Sequence, residues 1–233
     1  MISLLMKRKQ QLQPMAETTV HIEQSQVSVT ARPTFHEKPW EETQATLKRD
    51  LEYVRTLSGS QEKDPYKEQL IEKYRPLIEK LRITHKGNYG NLDVMWWWFL
   101  WHVDLGKLEE VYDDFRAAID DGLECPNTWK MNGQTAFMGY VLEYSKTAYE
   151  AKKPFNREYL INAVKDLRSG ELATNPPLKG KMFRLVGDWH FEAGEQKEAH
   201  DLFEQVMKMD PNKGGRKIKL ESLRKELGYD SPN

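Results

Sequence analysis

The chain has 233 residues, with 35 Lys and Arg against 36 Asp and Glu and a net charge of −1. That length suits one helical domain with or without tails. The near-zero charge excludes a global attraction to nucleic acid or anionic membrane, so any DNA contact must be a local patch. The single cysteine, Cys125, excludes an internal disulfide and a multi-cysteine zinc site and fits a reducing compartment.

Residues 1–36 are rich in Gln, Thr, Ser and Val, lack helical periodicity and read as a flexible N-terminal arm. The apolar stretch Met1 to Met6 is too short for a signal peptide, and Lys7, Arg8 and Lys9 follow it rather than precede it. Neither export nor a membrane span is expected. Val20 to Ala31 alternates apolar and polar residues, the pattern of an edge strand or a partner-binding segment; a disordered tail is the plainer alternative.

Residues 37–90 read as a charged helical pair. Pro39 suits a first helical turn, and Leu47, Leu51, Val54 and Leu57 mark one face. Ser58, Gly59 and Ser60 read as a loop. A second helix is predicted over Pro65 to Leu81, with Pro76 expected to kink or interrupt it. Glu37 to Lys86 carries ten acidic and eleven basic residues, interspersed, as in a solvated, salt-bridged pair.

Residues 91–229 read as a helical-repeat core with a basic C-terminal helix. Four of the seven tryptophans fall in one run, Trp96, Trp97, Trp98 and Trp101. Val94 to Leu100 is apolar on every side, so a helix there should be buried all round, with Asn91 as its N-cap. It is far too short to span a bilayer. Gly106 permits a turn into an amphipathic helix bearing Leu108, Val111, Tyr112, Phe115, Ala118 and Ile119. Further helices are expected over Gly133 to Ala151, from a cap at Asn156 to Ser169, and over Gly215 to Leu227. The fold class is all-α.

The segment from Trp101 aligns without gaps on the segment from Trp189. Shared positions are Trp101/Trp189, His102/His190, Gly106/Gly194, Glu110/Glu198, Asp113/Asp201 and Phe115/Phe203. Two copies of one helical hairpin are implied, and Gly194, Ala199, Phe203 and the ending Asp210-Pro211 resemble a tetratricopeptide repeat. The expected structural core contains Trp97, Trp98, Trp101, Phe115, Trp189 and Phe203.

No specific catalytic constellation, metal site or cofactor motif emerges. His102 and His190 sit beside tryptophan at a hairpin corner and read as packing or capping residues. His36, His85 and His200 lack partners at metal-ligand spacing. Asp113-Asp114 and Asp120-Asp121 resemble the carboxylates of a two-metal nuclease, but adjacent residues on a helix point apart, and a solvated acidic face explains them. Cys125 precedes Pro126 without a base nearby in sequence and reads as an inert thiol.

Charge distribution says more. Trp101 to Glu124 carries eight acidic residues against two basic, whereas Lys213 to Lys225 carries six basic against one acidic. Cations near a helix C-terminus are favourable, which accounts for Arg224 and Lys225. Lys213, Arg216, Lys217 and Lys219 would open a helix, where positive charge is unfavourable. With Lys7, Arg8 and Lys9, the closing-helix residues Lys213, Arg216, Lys217, Lys219 and Arg224 form the predicted DNA-contact set.

These features resemble the small terminase subunit of peduovirus-type tailed phages, often described as the terminase endonuclease subunit. The first block is an apolar helix followed by Trp101, Asp104 and Gly106 and then an Ala/Leu-bearing helix ending near Leu123. The second is the hairpin around Gly194 with Ala199, then Asp210 and a basic closing helix with Lys217, Leu220, Leu223 and Leu227. The likeness covers roughly Leu47 to Leu227. Unlike many relatives, this chain has no long basic tail after its last helix and no obvious helix-turn-helix in its arm.

The resemblance implies a subunit that binds double-stranded viral DNA, forms a ring-like homo-oligomer and delivers DNA to the large terminase subunit, which carries the ATPase, in the host cytoplasm. Under that division of labour this chain is expected to have no catalysis of its own. Two rivals are a tetratricopeptide-like interaction adaptor with no DNA role and a metal-dependent endonuclease using the paired aspartates.

Overall fold

The computed structural model describes residues 39–212 and 214–229. The N-terminal arm, with Lys7, Arg8, Lys9 and the alternating segment Val20 to Ala31, lies outside the described residues, as does Lys213. Among those described, all regular structure is helical: α1 Trp40–Thr56, α2 Gly59–Thr84, α3 Asp93–Asp104, α4 Leu108–Asp120, α5 Gly133–Glu150, α6 Glu158–Ser169, α7 Pro176–Ala193, α8 Gln196–Met209 and α9 Lys217–Glu226. Each helix packs on its neighbours in sequence, and α5 also meets α7. Packing between successive elements characterises stacked helical hairpins and is compatible with a tetratricopeptide-like arrangement.

The apolar run of α3 is buried apart from Trp97, as its composition predicts. Val94, Met95, Trp96, Trp98, Phe99, Leu100 and Trp101 are buried. Trp96 meets Phe115 and Trp129 edge-on, at 5.4 and 5.8 Å between ring centroids. Phe99 stacks on Phe115 of α4 at 4.6 Å, and Phe115 meets Phe137 of α5 at 5.1 Å. Trp98 Nε1 donates to the Ile71 carbonyl at 3.1 Å, which ties α3 to α2. Of the expected core, Trp98, Trp101, Phe115, Trp189 and Phe203 are buried. Trp97 is only half-buried: it is turned into a groove lined by Trp40, Leu47 and Leu51 of α1.

The two hairpins share their corner geometry. Gly106 and Gly194 both have positive φ, 71° and 77°, a conformation in which glycine has no Cβ penalty. At the first corner Gly106 N–H donates to Val103 O and Lys107 N–H to His102 O; at the second, Gly194 N–H donates to Phe191 O and Glu195 N–H to His190 O. Both are Schellman closures that satisfy otherwise orphaned helix carbonyls. The buried register repeats as well. Val111, Tyr112, Phe115 and Ala118 of α4 correspond to Ala199, His200, Phe203 and Val206 of α8, and all eight are buried.

Several local expectations need correction. Of the kink or interruption expected at Pro76, the interruption does not occur: α2 runs unbroken past both Pro65 and Pro76. Buried Leu70, Ile71 and Tyr74 before the proline, and Leu77, Ile78 and Leu81 after it, hold both halves on the core. The loop expected at residues 58–60 is shorter, because Gly59 already opens α2 and Ser58 N–H is taken by Glu62 Oε2 at 2.7 Å. Asn91 is not a cap. Leu92 N–H closes a turn on Tyr89 O, and Asn91, third in that turn, adopts φ 62°, which Asn tolerates better than most residues. Asparagine does cap elsewhere: Asn132 accepts from Thr135 N–H at 2.9 Å and Asn175 from Leu178 N–H at 3.0 Å, whereas Asn156, expected as a cap, lies one residue before the N-cap Arg157 and accepts from Glu158 N–H at 3.0 Å.

Candidate nucleic-acid interface

The closing helix α9 docks through Leu220 and Leu223, which join Ala199 and Phe203 in a small apolar cluster separate from the main core. Its cations are arranged around two carboxylates. Asp188 of α7 receives Arg216 as a fork, Nε to Oδ1 at 3.0 Å and Nη2 to Oδ2, and also accepts from Lys219 Nζ at 2.8 Å. The Lys219 ammonium lies 4.8 Å from the Phe191 ring centroid. Arg224 reaches Glu204 of α8 at 3.5 Å.

Asp188 answers the electrostatic question posed by the sequence. Cations at the start of α9 face the positive end of the helix dipole, and a carboxylate from another hairpin offsets them. Of the predicted DNA-contact residues, Arg216 and Lys219 are thus brought together on one anion, and Arg224 is held apart on another. Lys217 is exposed and unpaired among the described residues. Sequence reasoning missed Asp188, which sits 28 residues before Arg216, a separation at which no spacing rule operates.

From α9 a groove runs between α5 and α7. Its lining mixes the cations Lys146, Lys181, Arg184 and Arg216 with the carboxylates Glu143, Glu150 and Asp188.

The paired aspartates do not converge. Asp114 pairs with Arg82 and Asp120 with Arg116. Asp121 accepts from Gly87 N–H at 3.0 Å, and Asp113 is exposed. Among the described residues no group of three His, Cys, Asp or Glu side chains is placed to hold a metal ion. His102 is buried; its Nδ1–H donates to Trp98 O at 2.8 Å, and burial pushes its pKa down. His190 instead pairs with Glu195 at the second corner. The Cys125 thiol donates to Met131 O at 2.7 Å, and burial raises its pKa, which opposes thiolate chemistry. No helix among the described residues is long and apolar enough to cross a membrane.

The described residues thus form successive helical hairpins whose closing helix carries cations paired with Asp188 and Glu204. The chain belongs to a family described as phage small terminase subunit, whose model matches residues 44–176. No curated protein and no solved structure matches it. The match opens within α1, takes in the first hairpin, α5 and α6, and stops at the first residue of α7. Membership in that family implies a role in packaging phage DNA.

Proposed function

We propose that this protein is the genome-recognition subunit of a terminase of the peduovirus type. It binds double-stranded viral DNA, assembles as a closed ring of identical subunits and presents DNA to the large ATPase subunit for cutting and packaging in the host cytoplasm. The family match over residues 44–176 carries this reading. Exposed Lys217 and the Arg216, Lys219 and Arg224 cations of α9 support phosphate contacts. Lys7, Arg8, Lys9 and Lys213 belong to the same proposed set. Phosphate contacts position a protein on DNA without reading its sequence.

The test is a titration of labelled duplex with the purified protein at several salt concentrations. Log affinity should fall steeply and linearly with log salt, by about 0.9 per phosphate neutralised. Affinity indifferent to salt would remove the phosphate-contact basis of the proposal.

One feature favours a second reading, a protein-interaction adaptor. The groove between α1 and α3 has an apolar floor of Trp40, Leu47, Leu51, Trp97 and Pro126, with Lys48, Glu52, Arg55 and Asp93 also in its lining. Burial raises the Asp93 pKa. An adaptor predicts no DNA retention at any salt concentration.

A further inference from the structure

We propose that the corner joining α5 to α6, residues 151–157, is a contact site for the phosphate backbone of duplex DNA. The inference rests on the DNA-recognition reading and goes beyond it by placing contacts within the family-matched part of the chain, away from α9.

The corner reads Ala-Lys-Lys-Pro-Phe-Asn-Arg, three cations in seven residues, with Glu150 and Glu158 flanking it and Glu109 Oε1 accepting from Asn156 N–H at 3.2 Å. The cations around α9 are tied down by contrast: Arg216 and Lys219 to Asp188 and Arg224 to Glu204. Lys152 and Lys153 are exposed, and neither ammonium has an ion-pair partner among the described residues. Unpaired cations can exchange their counterions for a phosphate without first breaking an internal bond.

Lys152 also occupies a position that suits glycine. Its φ is 53°, in the left-handed region. Lys152 N–H donates to Tyr149 O and Lys153 N–H to Ala148 O, the same pair of closing bonds seen at Gly106, Gly122, Gly194 and Gly228. At those four corners glycine takes the positive φ; here a lysine does. A side chain at this position costs backbone energy that glycine avoids.

The third cation is pre-positioned. The Arg157 guanidinium lies over Trp189 at 5.2 Å, Tyr149 at 5.5 Å and Phe155 at 5.9 Å from the ring centroids. Tyr149 OH donates to Glu192 Oε1 at 2.5 Å, which fixes one of these rings. A guanidinium resting on aromatic faces keeps its in-plane N–H fork for a phosphate and loses little freedom on binding. Tyr149 also lines the α5–α7 groove, where Lys146, Lys181, Arg184 and Arg216 stand among Glu143, Glu150 and Asp188. Nothing in this set reads a base edge, so the partner chemistry is the phosphodiester backbone.

The test uses the full chain and a labelled duplex, comparing wild type with Lys152→Gly/Lys153→Gln and with Lys217→Gln/Lys225→Gln on α9, each across a salt series. The corner variant should bind at least ten-fold more weakly at moderate salt, with a log–log slope shallower by about two. Lys152→Gly alone should melt no lower than wild type, so weakened binding is not misfolding. Wild type that binds while the corner variant keeps its affinity and slope overturns the corner assignment and leaves the DNA reading standing. Wild type that fails to bind duplex even at low salt overturns both.

Discussion

Phe203 of α8 occupies the space that a side chain at position 187 would need. A Cβ on Gly187 would lie 2.6 Å from Phe203 Cε1 and 2.9 Å from Cδ1. The two hairpins are offset by 88 residues (189 minus 101), so the equivalent of Gly187 in the first hairpin is Phe99, which stacks on Phe115. One hairpin fills the shared position with a ring, and the other empties it so that its ring can press against the facing helix.

Gly187→Ala should therefore destabilise the protein. Phe203 is fully buried and cannot swing aside, so the added methyl forces a shift of α7 against α8 at a cost of about 1–3 kcal/mol. Denaturant unfolding reads this directly, and Phe203→Leu in the Gly187→Ala background should recover part of the loss. A Gly187→Ala protein as stable as wild type would show that the helices have room to spare.

Stability should fall at both ends of the pH range, for different groups. Burial, then the charge of Asp50, pushes Tyr66 up to about 12. Burial, then its hydrogen bond to Glu109, pushes Tyr144 to about 12. Burial and a hydrogen bond to Asp50 raise Tyr74 further. Unfolded tyrosine ionises near 10, so the native state holds protons that the unfolded state loses. This contribution is fully present below about pH 10 and disappears as pH rises through about 12. On the acid side, burial lowers the His102 pKa. Its contribution is present above about pH 6.5 and declines as pH falls, because the unfolded histidine protonates first. Melting temperatures across pH, read beside tyrosinate absorbance, check the alkaline limb. His102→Gln should flatten the shallow acid limb above the carboxylate range; an unchanged limb would place its origin elsewhere.

Asp188→Asn tests the anchoring of α9. Asp188 gathers Arg216 and Lys219 and is only 16% exposed at its side chain. Removing its charge should cost about 1.5–3 kcal/mol, the range for hydrogen bonds to charged groups. Faster hydrogen exchange in α9 than in α3 would locate the loss. The same change frees two cations, so DNA affinity should rise while stability falls. A loss of both would mean that docked α9 matters more to binding than its liberated charge.

Much of this architecture was legible because it rests on short-range signals. An apolar run around Trp96 has no polar face to expose, and Gly106 and Gly194 mark corners that need positive φ. The matching registers of Phe115 and Phe203 followed from the same periodicity. What escaped depends on tertiary contacts. Pro76 breaks an isolated helix but not one whose two halves are both held on a core. Asn91 has the composition of a cap, yet a turn claimed it first. The site was harder still. Arg216 and Lys219 look like free cations until Asp188 is brought beside them, and Lys152, Lys153 and Arg157 look unremarkable until Arg157 is found over Trp189, 32 residues away (189 minus 157).

The most direct test of the central claim is the molar mass of the purified protein in solution, by light scattering after gel filtration, with and without duplex DNA. A genome-recognition ring predicts a discrete oligomer of several 27.4 kDa subunits whose elution and mass shift when DNA is added. A 27.4 kDa monomer indifferent to DNA contradicts it.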